Sequence, residues 1–181
     1  MIDYKINFRR LCDKDFQNLY KWCNNRDVYQ WFEQRQLSYN EIISKYSNKL
    51  NDKNQNLYII ELDEISIGLI QLYKYNNDIN LDLPNKIKII YEYDIFIGES
   101  GYINKGYGSA IINKFNCILY KELSIDAIII RPFKRNVRAV KCYLKCNFKI
   151  IYEYSGFDTL GKEEKILVLI NTKEKNENNR I

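Results

Sequence analysis

The sequence predicts a mixed α/β (α+β) domain, built on one mixed sheet of six to seven strands with helices on both faces. Three observations predict this class. Seven short segments have the alternating or unbroken apolar pattern of strands, and apolar residues at helical spacing occur between several of them. The segments from Leu57 to Leu62 and from Ile65 to Tyr75 are separated by two residues, which predicts an antiparallel hairpin. Strand, loop, helix and strand then follow one another from Ile87 to Ile130, which predicts a βαβ unit with a buried parallel strand.

Before the hairpin, the pattern predicts one strand and two helices. The strand runs from Ile6 to Leu11. Asp13 is placed to cap the first helix, whose apolar residues at helical spacing are Phe16, Leu19, Tyr20, Trp22 and Cys23. Ser38 and Glu41 form a capping box, which predicts the start of the second helix. Residues 51–56 are polar and predict a loop.

After the hairpin, residues 76–85 form a polar loop, and the remaining elements alternate between strand and helix. They are a strand from Ile87 to Ile97, a glycine-containing loop from Gly98 to Gly108, a helix from Ser109 to Leu123, a strand from Ile125 to Ile130, a helix from Asn136 to Lys145, and strands from Phe148 to Tyr154 and from Glu164 to Ile170. We interpret residues 1–171 as one domain and residues 172–181 as a polar tail.

Composition excludes several classes of function. The chain has 181 residues and no histidine, so Ser-His-Asp hydrolysis, Cys-His catalysis and His-ligated zinc are excluded, and no metal is expected. The five cysteines lack a CxxC pair, which favours reduced thiols. The net charge of +5 comes from scattered lysines, so we expect no nucleic-acid partner. With neither a signal-peptide pattern nor a membrane span, the sequence predicts a cytoplasmic monomer or homodimer.

A glycine-containing motif between a strand and a helix indicates a phosphate site. It reads Lys105-Gly106-Tyr107-Gly108-Ser109. Glycines let the backbone approach a phosphate, and the amides of a helix start point towards it. The alternative is a tight strand-to-helix turn without a ligand. The motif is neither a Walker A loop nor a full GxGxxG.

A second motif, Asn136-x-x-Ala139-x-x-x-Tyr143-x-x-x-Asn147-Phe148, follows about thirty residues later. Asn136 is placed to cap a helix, and Tyr143 lies one turn beyond Ala139 on the same face. Asn147 falls where that helix ends, and asparagine tolerates the left-handed conformation found there. The alternative is an amphipathic helix with a buried tyrosine.

Together the two motifs resemble the acetyl-CoA-binding motifs of the GNAT N-acetyltransferase superfamily, and the element order extends the resemblance over nearly the whole chain. Within that superfamily, the chain resembles the aminoglycoside 6'-N-acetyltransferases. The segments that carry this resemblance run from Ile67 to Tyr73, from Tyr93 to Glu99, from Asn104 to Gly108 and from Asn136 to Tyr143. The resemblance implies a twisted sheet in which the strands before and after the phosphate-loop helix splay apart around acetyl-CoA.

The resemblance also implies roles for individual residues. The catalytic residues are Asp94, as acid-base group or amine anchor, and Tyr143, as proton donor to the leaving thiolate or as packing for the pantetheine. The cofactor-binding residues are Ile95, Phe96, Ile97, Lys105, Gly106, Tyr107, Gly108, Ser109, Asn136, Ala139 and Tyr143. The substrate-binding residues are Trp31, Gln71, Tyr73, Glu92, Asp94 and Glu99. An acidic rim of Asp78, Asp82, Glu92, Glu99, Asp158 and Glu163 would attract a polyamine sugar.

The chain departs from the family pattern at three places. Ile103 stands where a glutamine or arginine usually opens the pyrophosphate loop, Asn147 replaces a glycine, and Arg131-Pro132 replaces Asp-Pro. The primary hypothesis is acetyl transfer to the 6'-amine of an aminoglycoside. The alternatives are a GNAT enzyme for another amine, such as a protein N-terminus, a polyamine or a siderophore precursor, and a module that binds CoA without catalysis. Arg131 favours a substrate that carries a carboxylate.

Overall fold

Seven strands form one sheet in the computed structural model, which describes residues 5–173. The strands are β1 (Ile6–Arg10), β2 (Gln55–Leu62), β3 (Ile65–Lys74), β4 (Ile90–Ile97), β5 (Ala127–Ile130), β6 (Lys149–Phe157) and β7 (Glu163–Thr172). Their order in the sheet is β1-β2-β3-β4-β5-β7-β6. Only β4 and β5 pair in parallel, and the other pairs are antiparallel. The predicted mixed sheet, hairpin and βαβ unit are confirmed.

Five α-helices accompany the sheet within the described residues. They are α1 (Phe16–Cys23), α2 (Arg26–Tyr29), α3 (Tyr39–Asn51), α4 (Tyr107–Glu122) and α5 (Val137–Lys145), with short 3-10 turns at Asp13–Asp15 and Ser100–Tyr102. The capping box of α3 is confirmed, because the Ser38 and Glu41 side chains each accept from the other's backbone amide. Within residues 5–173, no helix combines the length and apolar character needed to cross a membrane.

The start of the first helix differs from the prediction. Asp13 does not cap α1; it belongs to a 3-10 turn that precedes the helix. The carboxylate that organises this turn is that of Asp15, which accepts from the Cys12 amide at 3.0 Å and from the Arg9 guanidinium at 2.7 and 2.8 Å. Helix α2 was not predicted, since one turn is too short to show a periodic pattern.

Other boundaries also shift. β4 begins at Ile90, three residues after the predicted start, and β7 extends to Thr172. Most of the predicted polar tail and the first four residues lie outside the described part of the chain.

The helices cover both faces of the sheet, as predicted. On one face, α1 and α3 bury Leu19, Trp22, Ile42 and Tyr46 against the middle strands. On the other face, the core includes Ile112 and Phe115 of α4 and Tyr143 of α5. We call these the α1–α3 face and the α4–α5 face. Since side chains alternate along a strand, a β4 residue contributes to one face only.

The sheet opens between β4 and β5. Their pairing ends at Glu92, opposite Ile129, although β4 continues to Ile97. Beyond that point the backbone of β4 has a strand neighbour only on the β3 side. The two central strands therefore diverge near the loop that leads into α4.

Candidate active site

A cleft with a volume of about 760 Å³ lies where β4 and β5 diverge. Its walls come from the end of β4, the first turn of α4, α5 and the residues that follow β5. The cleft continues onto the α1–α3 face, where it reaches Trp31, Lys45 and Lys49. The two halves of the cleft differ in chemistry.

The first turn of α4 forms one end of the cleft. Gly106 caps this helix with φ of +86°, a left-handed conformation that suits glycine. Tyr107, Gly108 and Ser109 follow in the first turn and line the cleft. The first amides of a helix have no partner within it and carry the positive end of the helix dipole, so this end fits an anionic group.

The predicted phosphate loop is only partly in the cleft. Lys105 is exposed and is not among the lining residues. The cations that line this half come from α5 instead, and they are Arg138, Lys141 and Lys145. Sequence reasoning missed them because surface lysines on an amphipathic helix are common.

Helix α5 supplies the opposite wall. The Asn136 side chain caps it by accepting from the Ala139 amide at 3.2 Å. Ala139 and Tyr143 both line the cleft one turn apart, and Asn147 has φ of +62° just after the helix. The predicted cap and the predicted left-handed asparagine are confirmed.

Tyr143 lines the cleft, although most of the residue is buried. The residue is 9% exposed, and no hydrogen-bond partner for its hydroxyl is found within residues 5–173. Burial, and then the charge of Asp94, raises the pKa of this hydroxyl above its usual range. Tyr143 is therefore protonated at neutral pH and is available as a donor.

The backbone amides and carbonyls of β4 point alternately towards β3 and towards β5. The Ile90 carbonyl accepts from the Tyr75 amide on the β3 side at 3.0 Å. The Ile89 carbonyl accepts from the Asp126 amide on the β5 side at 2.8 Å. Since successive residues of a strand direct their amides and carbonyls to opposite sides, even-numbered residues face β3 and odd-numbered residues face β5.

This alternation separates the three predicted backbone ligands on β4. The amides of Ile95 and Ile97 point towards the gap left by β5, because pairing with β5 ends at Glu92. The amide of Phe96 points towards β3 and serves the sheet. A strand edge with free amides fits an extended ligand that carries carbonyl groups.

Asp94 lies on β4 at the floor of the cleft on the α1–α3 face. It stands opposite Gln71 in the register with β3, and its Oδ2 accepts from the Tyr73 hydroxyl at 3.1 Å. Burial raises the pKa of Asp94, while the bond from Tyr73 and the charge of Lys49 act in the opposite direction. This carboxylate is partly exposed to the cleft. Three of the predicted substrate residues, Gln71, Tyr73 and Asp94, are thus brought together.

Two lysines of α3 reach the same floor. Lys49 donates to the Gln71 side-chain oxygen, and Lys45 forms an ion pair with Glu33. Burial lowers the pKa of Lys49. Neither lysine was predicted as a site residue. A signal existed, because Lys45 and Lys49 share the helical spacing of the buried residues Ile42 and Tyr46.

Glu92 is placed differently from the expectation. It is 2% exposed and does not line the cleft. Its Oε1 accepts from Arg131 Nε at 2.6 Å, and Arg131 also donates to Asp78 Oδ2 at 2.7 Å. The cation that departs from the family pattern is therefore held by two carboxylates, and Arg131 itself lines the cleft.

Glu99 lies outside the cleft lining. The backbone amides of Gly98 and Glu99 both donate to the Ile67 carbonyl, and the chain turns there towards α1. There the Glu99 carboxylate accepts from Lys21 Nζ at 2.7 Å and from Trp22 Nε1 at 2.8 Å. The carboxylate secures the end of β4 to α1.

The predicted acidic rim is not assembled around the cleft. None of its six members is among the lining residues. Asp158, for example, accepts from the Leu160 and Lys162 amides in the β6–β7 turn. The acidic side chains that do line the cleft are Asp27, Glu33 and Asp94.

Trp31, one of the predicted substrate residues, lines the cleft. The guanidinium of Arg135 lies 4.9 Å from the centre of its ring. Its indole N–H is buried and has no acceptor among the described residues. An N–H in this state fits a site in which a ligand supplies the acceptor.

Comparisons with known proteins agree with this geometry. The family model described as "Acetyltransferase (GNAT) domain" matches residues 12–155. Acetyltransferase PseH of Campylobacter jejuni is 24% identical over 83% of this chain and 87% of its own length. Spermidine N(1)-acetyltransferase of Vibrio cholerae is 24% identical over 80% of this chain and 79% of its own length. The structure of AAC(6')-Ib, an aminoglycoside acetyltransferase, with paromomycin and acetyl-CoA superposes with a TM-score of 0.78 at 19% identity, covering 98% of each chain.

Proposed function

Because the chain belongs to the family of GNAT acetyltransferases, we propose that it acetylates a primary amine of a small molecule, with Asp94 and Tyr143 at the reacting groups. The family uses acetyl-CoA. The observation that carries the proposal is the position of Asp94, beside Tyr73 at the floor of a cleft that also contains the first turn of α4.

The described residues fit acetyl-CoA. The α4 amides from Tyr107 to Ser109 and the lysines of α5 would hold the pyrophosphate. The Ile95 and Ile97 amides would bind carbonyl groups of the pantetheine arm. When bound, acetyl-CoA supplies the acetyl group as a thioester, which the amine attacks to give an amide and free CoA.

Asp94 would bind and orient the attacking amine. A carboxylate in contact with an ammonium holds it next to the thioester, and positioning of this kind is a large part of catalysis. The ammonium first loses one proton to Asp94 or to solvent, and the free amine then attacks, so that the C–N bond forms and the C–S bond breaks. The nitrogen then releases a second proton, which balances the proton that the sulfur gains. Tyr143 would donate its hydroxyl proton to the departing sulfur, since its raised pKa keeps it protonated.

The 6'-amine of an aminoglycoside is one candidate acceptor. The overall resemblance to an aminoglycoside acetyltransferase structure and the position of Asp94 support it. A polycationic drug, however, needs several carboxylates, and the predicted acidic rim does not line the cleft.

An amine of another class is the second candidate, and the charges of the cleft favour it. Lys49 lines the cleft beside Asp94 and forms no ion pair within residues 5–173, whereas Lys45 and Arg131 are each paired with carboxylates. Relatives named as spermidine and aminoglycoside acetyltransferases show that acceptors differ within the family.

A CoA-release assay tests the proposal. Acetyl-CoA is supplied with kanamycin, tobramycin, spermidine, lysine or a short peptide, and the acceptor with the highest kcat/KM identifies the class. Asp94→Asn and Asp94→Ala are expected to lower kcat/KM roughly 100- to 10,000-fold, because they remove the amine's partner. Asp13→Asn removes an exposed carboxylate elsewhere and serves as the control. Full activity in Asp94→Ala, or no CoA release with any amine, would contradict the proposal.

A further inference from the structure

Among the described residues, most ionisable side chains on the α1–α3 side of the cleft form ion pairs, but Lys49 and Asp94 do not. Lys45 pairs with Glu33, and Arg131 pairs with Glu92 and Asp78. These contacts satisfy two cations with three carboxylates. Lys49 and Asp94 form no ion pair within residues 5–173.

Each of these two charges has only a neutral hydrogen-bond partner. Lys49 donates to the Gln71 amide oxygen, and Asp94 accepts from the Tyr73 hydroxyl. Both charges are largely removed from bulk water, and burial disfavours the charged form of each. The charges of Lys49 and Asp94 stabilise each other through space, but no ion pair joins them within residues 5–173. A site that holds two opposite, partly buried charges apart is suited to a ligand that pairs with both.

The two charges are also close neighbours. Gln71, which receives the Lys49 ammonium, lies directly opposite Asp94 in the register of β3 with β4. Side chains opposite each other in an antiparallel pair project from the same face of the sheet. One small molecule can therefore reach both charges at once.

We propose that the acceptor amine carries an anionic group, a carboxylate or a phosphate, near the reacting nitrogen, with Lys49 binding the anion and Asp94 the ammonium. This inference rests on the proposed acetyltransferase function and specifies its substrate class. Lys49 is the specificity-determining residue. It attracts zwitterionic amines and repels polyamines and aminoglycosides, which bring further positive charges to the same place.

Two matched substrate pairs test the inference in the CoA-release assay. Lysine and cadaverine differ by a carboxylate, and glucosamine 6-phosphate and glucosamine differ by a phosphate. The wild-type protein is expected to favour the anionic member of at least one pair by roughly tenfold or more in kcat/KM. That ratio is the contribution expected of a hydrogen bond between the Lys49 ammonium and an anion. The pair that shows the preference identifies carboxylate or phosphate as the recognised group.

Three variants assign that preference to a residue. Lys49→Met keeps the length of the side chain and is expected to abolish the preference, while Lys49→Glu is expected to reverse it in favour of the cationic member. Lys53→Met removes an exposed lysine just after α3 and is the charge-matched control. Equal use of both members by the wild-type protein, or an unchanged preference in Lys49→Met, would overturn the inference.

The two proposals fail in different ways. Turnover of cadaverine or glucosamine without regard to the anion overturns the inference and leaves the acetyltransferase proposal intact. If no amine in the panel is turned over, calorimetric titration of the four compounds in the presence of CoA reads the preference directly. Tighter binding of an anionic member that is lost in Lys49→Met supports the inference, and equal binding rejects it.

Discussion

At the scale of single residues, the Tyr73 hydroxyl controls how readily Asp94 carries its charge. Burial favours the neutral acid, while the hydrogen bond from Tyr73 favours the carboxylate. The proposed ammonium of the substrate pairs only with the ionised form of Asp94. Activity at a given pH therefore depends on the balance between burial and the hydrogen bond from Tyr73.

We expect Tyr73→Phe to raise the pKa of Asp94 further, because it removes a donor to the ionised form. Protonation of Asp94 abolishes amine binding as pH falls, so the acid limb of the kcat/KM profile moves to higher pH. The plateau should fall roughly tenfold or more, as for loss of a hydrogen bond to a charged group. Tyr20→Phe, on the exposed side of α1, is the control. An acid limb that stays in place or moves to lower pH would refute this role.

The sequence predicted the position of some site residues better than others. The resemblance to the family implied Asp94 and Tyr143, and both residues line the cleft. Glu92 and Glu99 were expected to face the substrate. Instead, Glu92 is paired with Arg131 and Glu99 with Lys21. These cations are far away in the sequence, so a linear pattern does not reveal the pairing. Lys49 was missed because lysines on a helix usually face solvent.

At the scale of elements, the start of α4 depends on the conformation of one residue. Gly106 has φ of +86°, and a Cβ placed on it would meet nothing within 4 Å. Gly101, five residues earlier, also has open space around it but lacks the positive φ. The two glycines therefore differ in backbone strain and not in steric room.

Gly106→Ala is expected to weaken acetyl-CoA binding about five- to thirtyfold. A left-handed conformation costs an L-residue roughly 1–2 kcal/mol, and relaxation of that strain would redirect the α4 amides. Gly101→Ala should leave the affinity within about twofold. The KM for acetyl-CoA and a calorimetric Kd measure both. Equal effects of the two substitutions would argue against this account of the loop.

Elements with strong local signals were predicted well, and those fixed by tertiary contacts were not. The Ser38 capping box and the β2–β3 hairpin carry their own local chemistry. The 3-10 turn before α1 is organised by Arg9 of β1, whose guanidinium binds Asp15. No local pattern identifies that contact, so the helix start was assigned to Asp13.

At the scale of the whole molecule, the sheet consists of two parts, β1 to β4 and β5 to β7, that are joined by a short pairing between β4 and β5. β4 and β5 share three register pairs, from Ile90 opposite Ala127 to Glu92 opposite Ile129. The α4–α5 core joins the two parts behind the gap. A ligand in the gap would contact both parts and stabilise the folded state.

We expect acetyl-CoA to raise the thermal midpoint of unfolding. At 100 times its Kd, a ligand that binds only the folded state contributes about 2.7 kcal/mol. For a domain of this size that corresponds to roughly 5–10 °C. Scanning calorimetry with acetyl-CoA, and with ATP as a nucleotide without the pantetheine arm, measures it. A shift no larger than that with ATP would contradict binding of the arm along β4.

The free amides of Ile95 and Ile97 have an evolutionary consequence. A main-chain amide is offered by every residue except proline, so mutation can replace the side chains along this stretch of β4 without removing the groups that face the gap. Recognition of this kind leaves little trace in the amino-acid letters. The side chains of this stretch can therefore change widely without loss of the main-chain groups that face the gap.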